Sequence, residues 1–239
     1  MNQIETQMNN LRLPGMARVW TTFQETRKLH ELSLTEGMEL LLQAEAQERV
    51  NRRFKRLEYQ AGFRYKASIE ELKTEQGRGI DKNLLATLAT GEYILKGTSV
   101  LITGATGCGK SFLASALGHQ GCLQGHKVAY FNTQKLLLKT KMARLEGTIY
   151  SFFEKLAKTN LLILDDFGLT HLEKQQQIDF MELIEDRHGK TSTIIASQLP
   201  VASWYDVIGE ETIADAILDR LAHTSYRIEI KGESLRKKL

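Results

Sequence analysis

The stretch GATGCGKS, residues 104–111, is the part of this chain best equipped for chemistry. It fits G-x-x-x-x-G-K-[ST] through Gly104, Gly109, Lys110 and Ser111. Glycines in such a loop let backbone N–H groups turn toward an anion with no β-carbon in the way. The positive end of the following helix faces the same anion. The run Gly104, Ala105, Thr106, Gly107, Cys108, Gly109, Lys110, Ser111 and Phe112 therefore reads as a cradle for the triphosphate of ATP. Lys110 would reach the β- and γ-phosphates, and the Ser111 hydroxyl would ligate Mg2+. The context agrees, because TSVLIT (98–103) before the loop reads as a strand and KSFLASAL after it as a helix.

LLILDDFG, beginning at Leu161, supplies the second half of such a site. A buried strand that ends in acid is where the magnesium-side carboxylate is expected. Asp165 would hold the metal through water, and Asp166 would polarise the attacking water. An aspartate is one methylene shorter than a glutamate, so hydrolysis is expected to be slow. The strand TSTIIAS ends in Ser197 and Gln198. These suit a sensor of the γ-phosphate, with Gln198 ahead of Ser197; they also suit a plain turn, since Leu199 and Pro200 follow. Arg220 lies on a segment with helical apolar spacing (Ile213, Ala216, Ile217, Leu221) and Arg236 lies near the C-terminus. Each reads either as a phosphate-directed arginine, Arg220 toward a neighbouring subunit and Arg236 toward its own, or as a surface charge.

The elements that must position these residues fall into two regions. Residues 1 to about 97 read as helical. SLTE (33–36) and SIEE (68–71) both have the form of a capping box that starts a helix. Met38, Leu41, Leu42, Ala46, Val50, Phe54 and Leu57 recur at spacings of three and four, as on one face of a helix. GRG (77–79) reads as a joint. From about residue 98 the period changes to short apolar runs: TSVLIT, KVAYFN (127–132), NLLILDD (160–166), TSTIIAS (191–197) and SYRIEI (225–230). Helical spacings separate them. The expected fold class is α/β, a five-stranded parallel sheet flanked by helices, preceded by a small all-helical domain. The expected boundaries are 1–75 for the helical domain and 76–239 for the other, with a linker at about 76–97.

Composition sets outer limits. Of 239 residues, 32 are Lys or Arg and 29 Asp or Glu, a net charge of +3, so any basic partner surface is local. The two cysteines follow no metal spacing and read as reduced thiols of a cytosolic protein. The six histidines show no ligand spacing, and no apolar run suggests a signal peptide or membrane span. One basic stretch stands out. NRRFKRLEYQAGFRYK (51–66) holds Arg52, Arg53, Lys55, Arg56, Arg64 and Lys66 against the single acid Glu58. This density suits phosphate contacts that position DNA without specifying sequence. It also suits a solvated helix face.

LRLPGMA, GATGCGKSFLA, LLILDDFG, SQLPVASWYDVIG, ADAILDRLAH and IKGESLRK, in that order, resemble the IstB-like helper ATPases of bacterial insertion sequences, in the DnaC/DnaA branch of the AAA+ superfamily. The resemblance runs along nearly the whole chain. It implies a P-loop AAA+ domain with Lys110 and Ser111 as the Walker A pair, Asp165 and Asp166 as the Walker B pair, a first sensor at Ser197-Gln198, an arginine finger acting in trans at Arg220 and a second sensor at Arg236. The loop departs from the family by reading GATG, where relatives often have proline after the first glycine. The resemblance further implies a slow ATPase of the bacterial cytoplasm, stimulated by oligomerisation and DNA. Its copies would assemble on duplex DNA and act on a partner transposase. A DnaC-type helicase loader is the alternative within the same branch, and a small-molecule P-loop kinase the alternative outside it.

Overall fold

The computed structural model describes residues 3–26, 28, 31–72, 78–232 and 234. The chain divides into two compact units, Met1–Arg56 and Leu57–Leu239.

The first unit contains α1 (Gln3–Asn10), α2 (Pro14–Glu25) and most of α3 (Leu34–Ala61), which runs on into the second unit. SLTE does start α3. The Ser33 N–H and hydroxyl donate to the Glu36 carboxylate at 2.9 and 2.7 Å, and the Glu36 N–H donates to Ser33 Oγ at 3.2 Å. LRLPGMA opens α2 with proline in its first turn, where no N–H is needed. Gly15 then lets α2 lie directly on α3. A β-carbon there would stand 2.6 Å from the Ala44 carbonyl and 2.7 Å from the Glu45 Cα. The Gly15 N–H, an unpaired donor of a helix start, donates to the Glu45 carboxylate at 2.8 Å. Met16, Phe23 and Leu41 form the small core beside it.

The apolar stripe read on α3 is only partly buried. Leu41 and Leu57 are buried, while Met38, Leu42 and Val50 stay 44%, 57% and 54% exposed. The helix meets α2 along the row of Leu41, Glu45 and Glu48 instead, drawn by the Gly15 contact and by Arg18 pairing with Glu48 at 3.0 Å.

The second unit is built on β1 (Val100–Gly104), β2 (Val128–Asn132), β3 (Leu161–Phe167), β4 (Ser192–Ser197) and β5 (Tyr226–Ile230). They form one parallel sheet in the order β2-β3-β4-β1-β5. The five strands fall where the apolar runs place them. Between them run α6 (Lys110–Leu123), α7 (Thr133–Leu145), α8 (Ile149–Ala157), α9 (Lys174–Arg187), α10 (Trp204–Ile208) and α11 (Glu211–Ala222). Trp204, fully buried, meets Phe167 edge-on at 4.9 Å, and Phe167 stacks on Phe180 at 5.3 Å. Arg187, also buried, donates to the carbonyls of Leu156, Thr159 and Ser192, which ties α9 to α8 and β4. Burial pushes its pKa down to about 9. Among the described residues no helix is long and apolar enough to cross a membrane.

One expectation about the join between the regions, the helix start at SIEE, is corrected. The units part at Arg56/Leu57 rather than near residue 75, because the chain from Leu57 onward packs on the sheet domain. Phe63 meets Tyr130 edge-on at 6.4 Å and lies over Gly118, where a β-carbon would stand 2.5 Å from its ring. SIEE makes a turn, with the Ser68 N–H on Glu71 at 3.0 Å, and no helix starts there among the described residues. The span read as a linker holds α4 (Lys82–Ala89) and α5 (Glu92–Leu95), which bury Leu85, Leu88, Tyr93 and Ile94. Arg78, within GRG, donates to the Cys108 carbonyl at 2.6 Å, so this stretch braces the glycine loop.

The Glu45 contact is pH-dependent. Burial opposes its charged form, but Arg49 and the N–H groups of Gly15 and Met16 outweigh it and hold the carboxyl below its ordinary 4.5. A depressed carboxyl stabilises above the unfolded value and loses that contribution as pH falls through the folded one. Glu45→Gln is therefore expected to cost about 1–2 kcal/mol at neutral pH. In urea melts the gap from the parent should shrink below pH 4.5; a gap that is constant with pH would contradict this account.

Candidate functional site

The glycine loop connects β1 to α6, with Gly109 as the helix's N-terminal cap at φ 108°. Lys110 is almost wholly buried, and its ammonium donates to the Gly104 and Ala105 carbonyls at 2.8 and 2.9 Å. The lysine is thus folded over its own loop. Cys108 is fully buried and offers only its main chain. Burial pushes the Cys122 thiol up to about 12, and both cysteines are free. Thr106, Gly107, Gly109, Lys110, Ser111 and Phe112 line one cleft of about 470 Å³ together with Asp166 and Gln198.

β3 delivers the acids. Leu161–Leu164 are fully buried, and Asp165 is buried with them. The ladder with β4 then shifts register between Leu164 and Phe167, and Asp166 takes φ +57°. A left-handed aspartate at a bulge is strained, and it re-aims the side chain out of the strand's alternation. The Tyr130 hydroxyl donates to Asp165 Oδ2. Burial and this bond to the carboxylate both push the Tyr130 pKa up, so the phenol remains a donor. Asp166 Oδ2 accepts from Asn132 Nδ2 and Arg64 Nη1, each at 3.1 Å.

The polar tip of β4 divides its work. Ser197, fully buried, donates to the Phe167 carbonyl at 2.7 Å and accepts from the Leu199 N–H at 3.1 Å. Trp204 Nε1 holds the Leu199 carbonyl at 3.1 Å. Gln198 is the one that enters the cleft, accepting from the Thr106 hydroxyl at 2.7 Å.

Arg220 lies elsewhere. On α11 it pairs with Glu185 of α9 and donates to the Ala216 carbonyl at 2.9 Å. It sits beside Ser99, Thr191 and Thr193, where β1 and β4 begin, the end of the sheet opposite the glycine loop. Arg236 lies outside the described residues. Ser234, from the same IKGESLRK motif, packs against Gly107.

Of the basic set, Arg52, Arg53, Lys55 and Arg56 line exposed positions of α3, and Lys66 is exposed beyond it. Arg52 pairs with Glu45 at 3.5 Å and Glu48 at 3.9 Å. Arg64 departs from the grouping that the sequence suggested. α3 ends at Ala61, Gly62 turns the chain at φ +69°, and Phe63 anchors it on Tyr130. Arg64 is thereby brought to Asp166 and, at 3.5 Å, to Asp165. Sequence reading missed this, and it missed Tyr130 and Asn132. The available signal was register: Asn132, the polar end of β2, stands opposite Asp165.

The residues present fit ATP with Mg2+. The decisive detail is Asp165 Oδ1, a buried carboxylate oxygen with no hydrogen-bond partner. Such an atom is costly unless something else occupies it.

The family described as IstB-like ATP binding protein matches residues 6–239. Among curated relatives, the insertion sequence ATP-binding protein y4pL of Sinorhizobium fredii is 40% identical over 96% of this chain and 94% of its own. The insertion sequence IS1162 ATP-binding protein of Pseudomonas fluorescens is 42% identical over 82% of this chain and 85% of its own. Among solved structures, the DnaC helicase loader is similar at TM-score 0.58 and 21% identity, covering 70% of this chain and 98% of that one. The replication initiator DnaA bound to AMPPCP and single-stranded DNA matches at TM-score 0.58 and 21% identity, over 72% of this chain and 52% of that one. These structural likenesses are of fold, and with the strand order they make the sheet domain an AAA+ P-loop fold.

Tyr130→Phe removes the donor on Asp165 Oδ2 and leaves a buried charged acceptor short of a partner. It is expected to lower stability by about 1.5–3 kcal/mol, read from the denaturation midpoint. An unchanged midpoint would mean that the carboxylate gains nothing from the phenol.

Proposed function

The chain belongs to the IstB-like ATP binding protein family, and on that premise we propose that it is the ATP-dependent, DNA-binding helper of a transposase. The observation that carries this reading is the meeting of Lys110, Ser111, Asp166 and Gln198 in one cleft, in a chain alike over nearly its whole length to insertion sequence ATP-binding proteins.

ATP is the nucleotide. The loop N–H groups and the α6 N-terminus bind its phosphates, and Lys110 exchanges two loop carbonyls for phosphate oxygens. Ser111 and the open oxygen of Asp165 would hold Mg2+, which neutralises charge on the β- and γ-phosphates when bound. Asp166 polarises the attacking water, with Asn132 fixing its carboxylate. Gln198, linked to Thr106, reports on the γ-phosphate. Arg236 would act as the second sensor. Arg220 lies at the far end of its own sheet, which supports action in a neighbour's site as an arginine finger. ATP binding thereby favours assembly of like copies, and hydrolysis is slow until assembly and DNA complete the site.

Duplex DNA would lie along the basic face of α3, with Arg53, Lys55 and Arg56 toward phosphates and Arg52 sharing its charge with Glu45 and Glu48; Lys66, in the second unit, is a further exposed candidate. The DNA-bound assembly then engages the transposase in the bacterial cytoplasm.

With long duplex DNA and ATP, the protein is expected to form a large, salt-sensitive assembly, followed by particle mass. Lys110→Ala and Arg220→Ala should both lose it, the first through nucleotide binding and the second with ATP binding retained. Capture of single strands or a helicase in place of duplex would favour a loader, and a monomer that ignores nucleic acid would sink both. Asp166→Asn should abolish phosphate release while leaving ATP affinity unchanged; unaltered turnover would remove Asp166 from the chemistry.

A further inference from the structure

The two acids at the end of β3 already hold a cation. Arg64 Nη1 stands 3.1 Å from Asp166 Oδ2 and 3.5 Å from Asp165 Oδ2. Three side chains donate to these carboxylates here: Tyr130, Asn132 and Arg64. Arg64 alone of the three carries charge. A guanidinium beside two adjacent carboxylates, one of them fully buried, offsets the repulsion between them. Arg64 is also a partner that can leave. Its side chain is 42% exposed, and it rests over the Tyr65 ring at 5.5 Å without a buried pocket of its own.

Mg2+ would share the Asp165 carboxylate with Arg64. A divalent ion on Asp165 would lie within a few ångströms of a guanidinium, and like charges at that range repel strongly where burial lowers the dielectric. We propose that Arg64 is the internal counter-ion of the Asp165–Asp166 pair and is displaced when Mg2+ enters with nucleotide. The inference rests on the ATP and Mg2+ reading of this site. Arg64 is a positioning residue: it holds the acids aligned, and it makes metal binding depend on the negative charge that the triphosphate brings. In the nucleotide-free chain the acids stay neutralised and bind little free metal.

The test uses the full chain and no turnover. Binding of a fluorescent non-hydrolysable ATP analogue is followed across a Mg2+ series, and Mn2+ binding without nucleotide is followed by electron paramagnetic resonance. Arg64→Gln is expected to lower the half-saturating Mg2+ about tenfold and to reveal Mn2+ binding without nucleotide. Arg64→Lys, which keeps the charge, should stay near the parent in both. Equal or higher Mg2+ demand in Arg64→Gln overturns the proposal. So does weakened analogue binding at saturating Mg2+, the signature of a phosphate ligand. Lys110→Ala separates the two levels. If the parent binds the analogue no better than Lys110→Ala does, the nucleotide site itself is refuted and the proposal falls with it.

Discussion

A carboxylate buried at the end of a buried strand is the constraint on which this site depends. Asp165 has no exposure, so its oxygens depend on neighbours fixed beforehand. Its neighbours come from two separate parts of the chain. Tyr130 and Asn132 are two residues apart on β2, and the parallel register of β2 with β3 brings both to the acids. Thr133 Oγ1 holds the Asp165 carbonyl at 2.9 Å, and Arg64 arrives from the turn after α3. The sheet order therefore matters chemically. With β2 on the outer side of β3 and β4 on the inner, one strand supplies donors to the acids and the other supplies Gln198.

The tip of β4 shows how packing places that polar group. Ser197 is spent on the Phe167 carbonyl, and Phe167 is clamped between Trp204 and Phe180. Trp204 also holds the Leu199 carbonyl. The loop after β4 is thus fixed on both sides of Gln198, which leaves its amide as the free-standing member reaching Thr106. In SQLPVASW the serine, leucine and tryptophan serve geometry, and the glutamine serves the cleft.

Strands and the glycine loop were legible because they rest on local pattern. Apolar runs of β length and G-x-x-x-x-G-K-S depend on near neighbours in sequence. The helical region was less legible. The stripe through Met38, Leu42 and Val50 looked like a buried face, but a glycine and a glutamate decide where α3 meets α2, and neither residue carries an apolar signal. Arg64 was misgrouped for a similar reason. In sequence it continues a basic run, and only the turn at Gly62 and the Phe63 anchor separate it from that run. Charge counts say how many cations a segment holds, not which anions they face.

The cations share a common condition. Lys110 rests on two loop carbonyls, Arg64 on the β3 acids and Arg220 on Glu185. Each has partners inside the chain that a phosphate would have to replace. A triphosphate must then exchange internal partners for its own oxygens, so the net gain per contact is smaller than for a lysine or arginine held free. Such exchange makes the site responsive. Moving Arg64 alters what holds Asp166, and moving Arg220 frees Glu185 on α9, at the opposite end of the sheet. Occupancy at one end of the domain and contact at the other are each written in pairs that must break. In the proposed assembly, a neighbouring copy that drew Arg220 into its own phosphate site would compete with one partly exposed carboxylate, a modest opponent in water. The same exchange at Arg64 faces two acids, one of them buried, and needs the higher charge of Mg2+ to succeed.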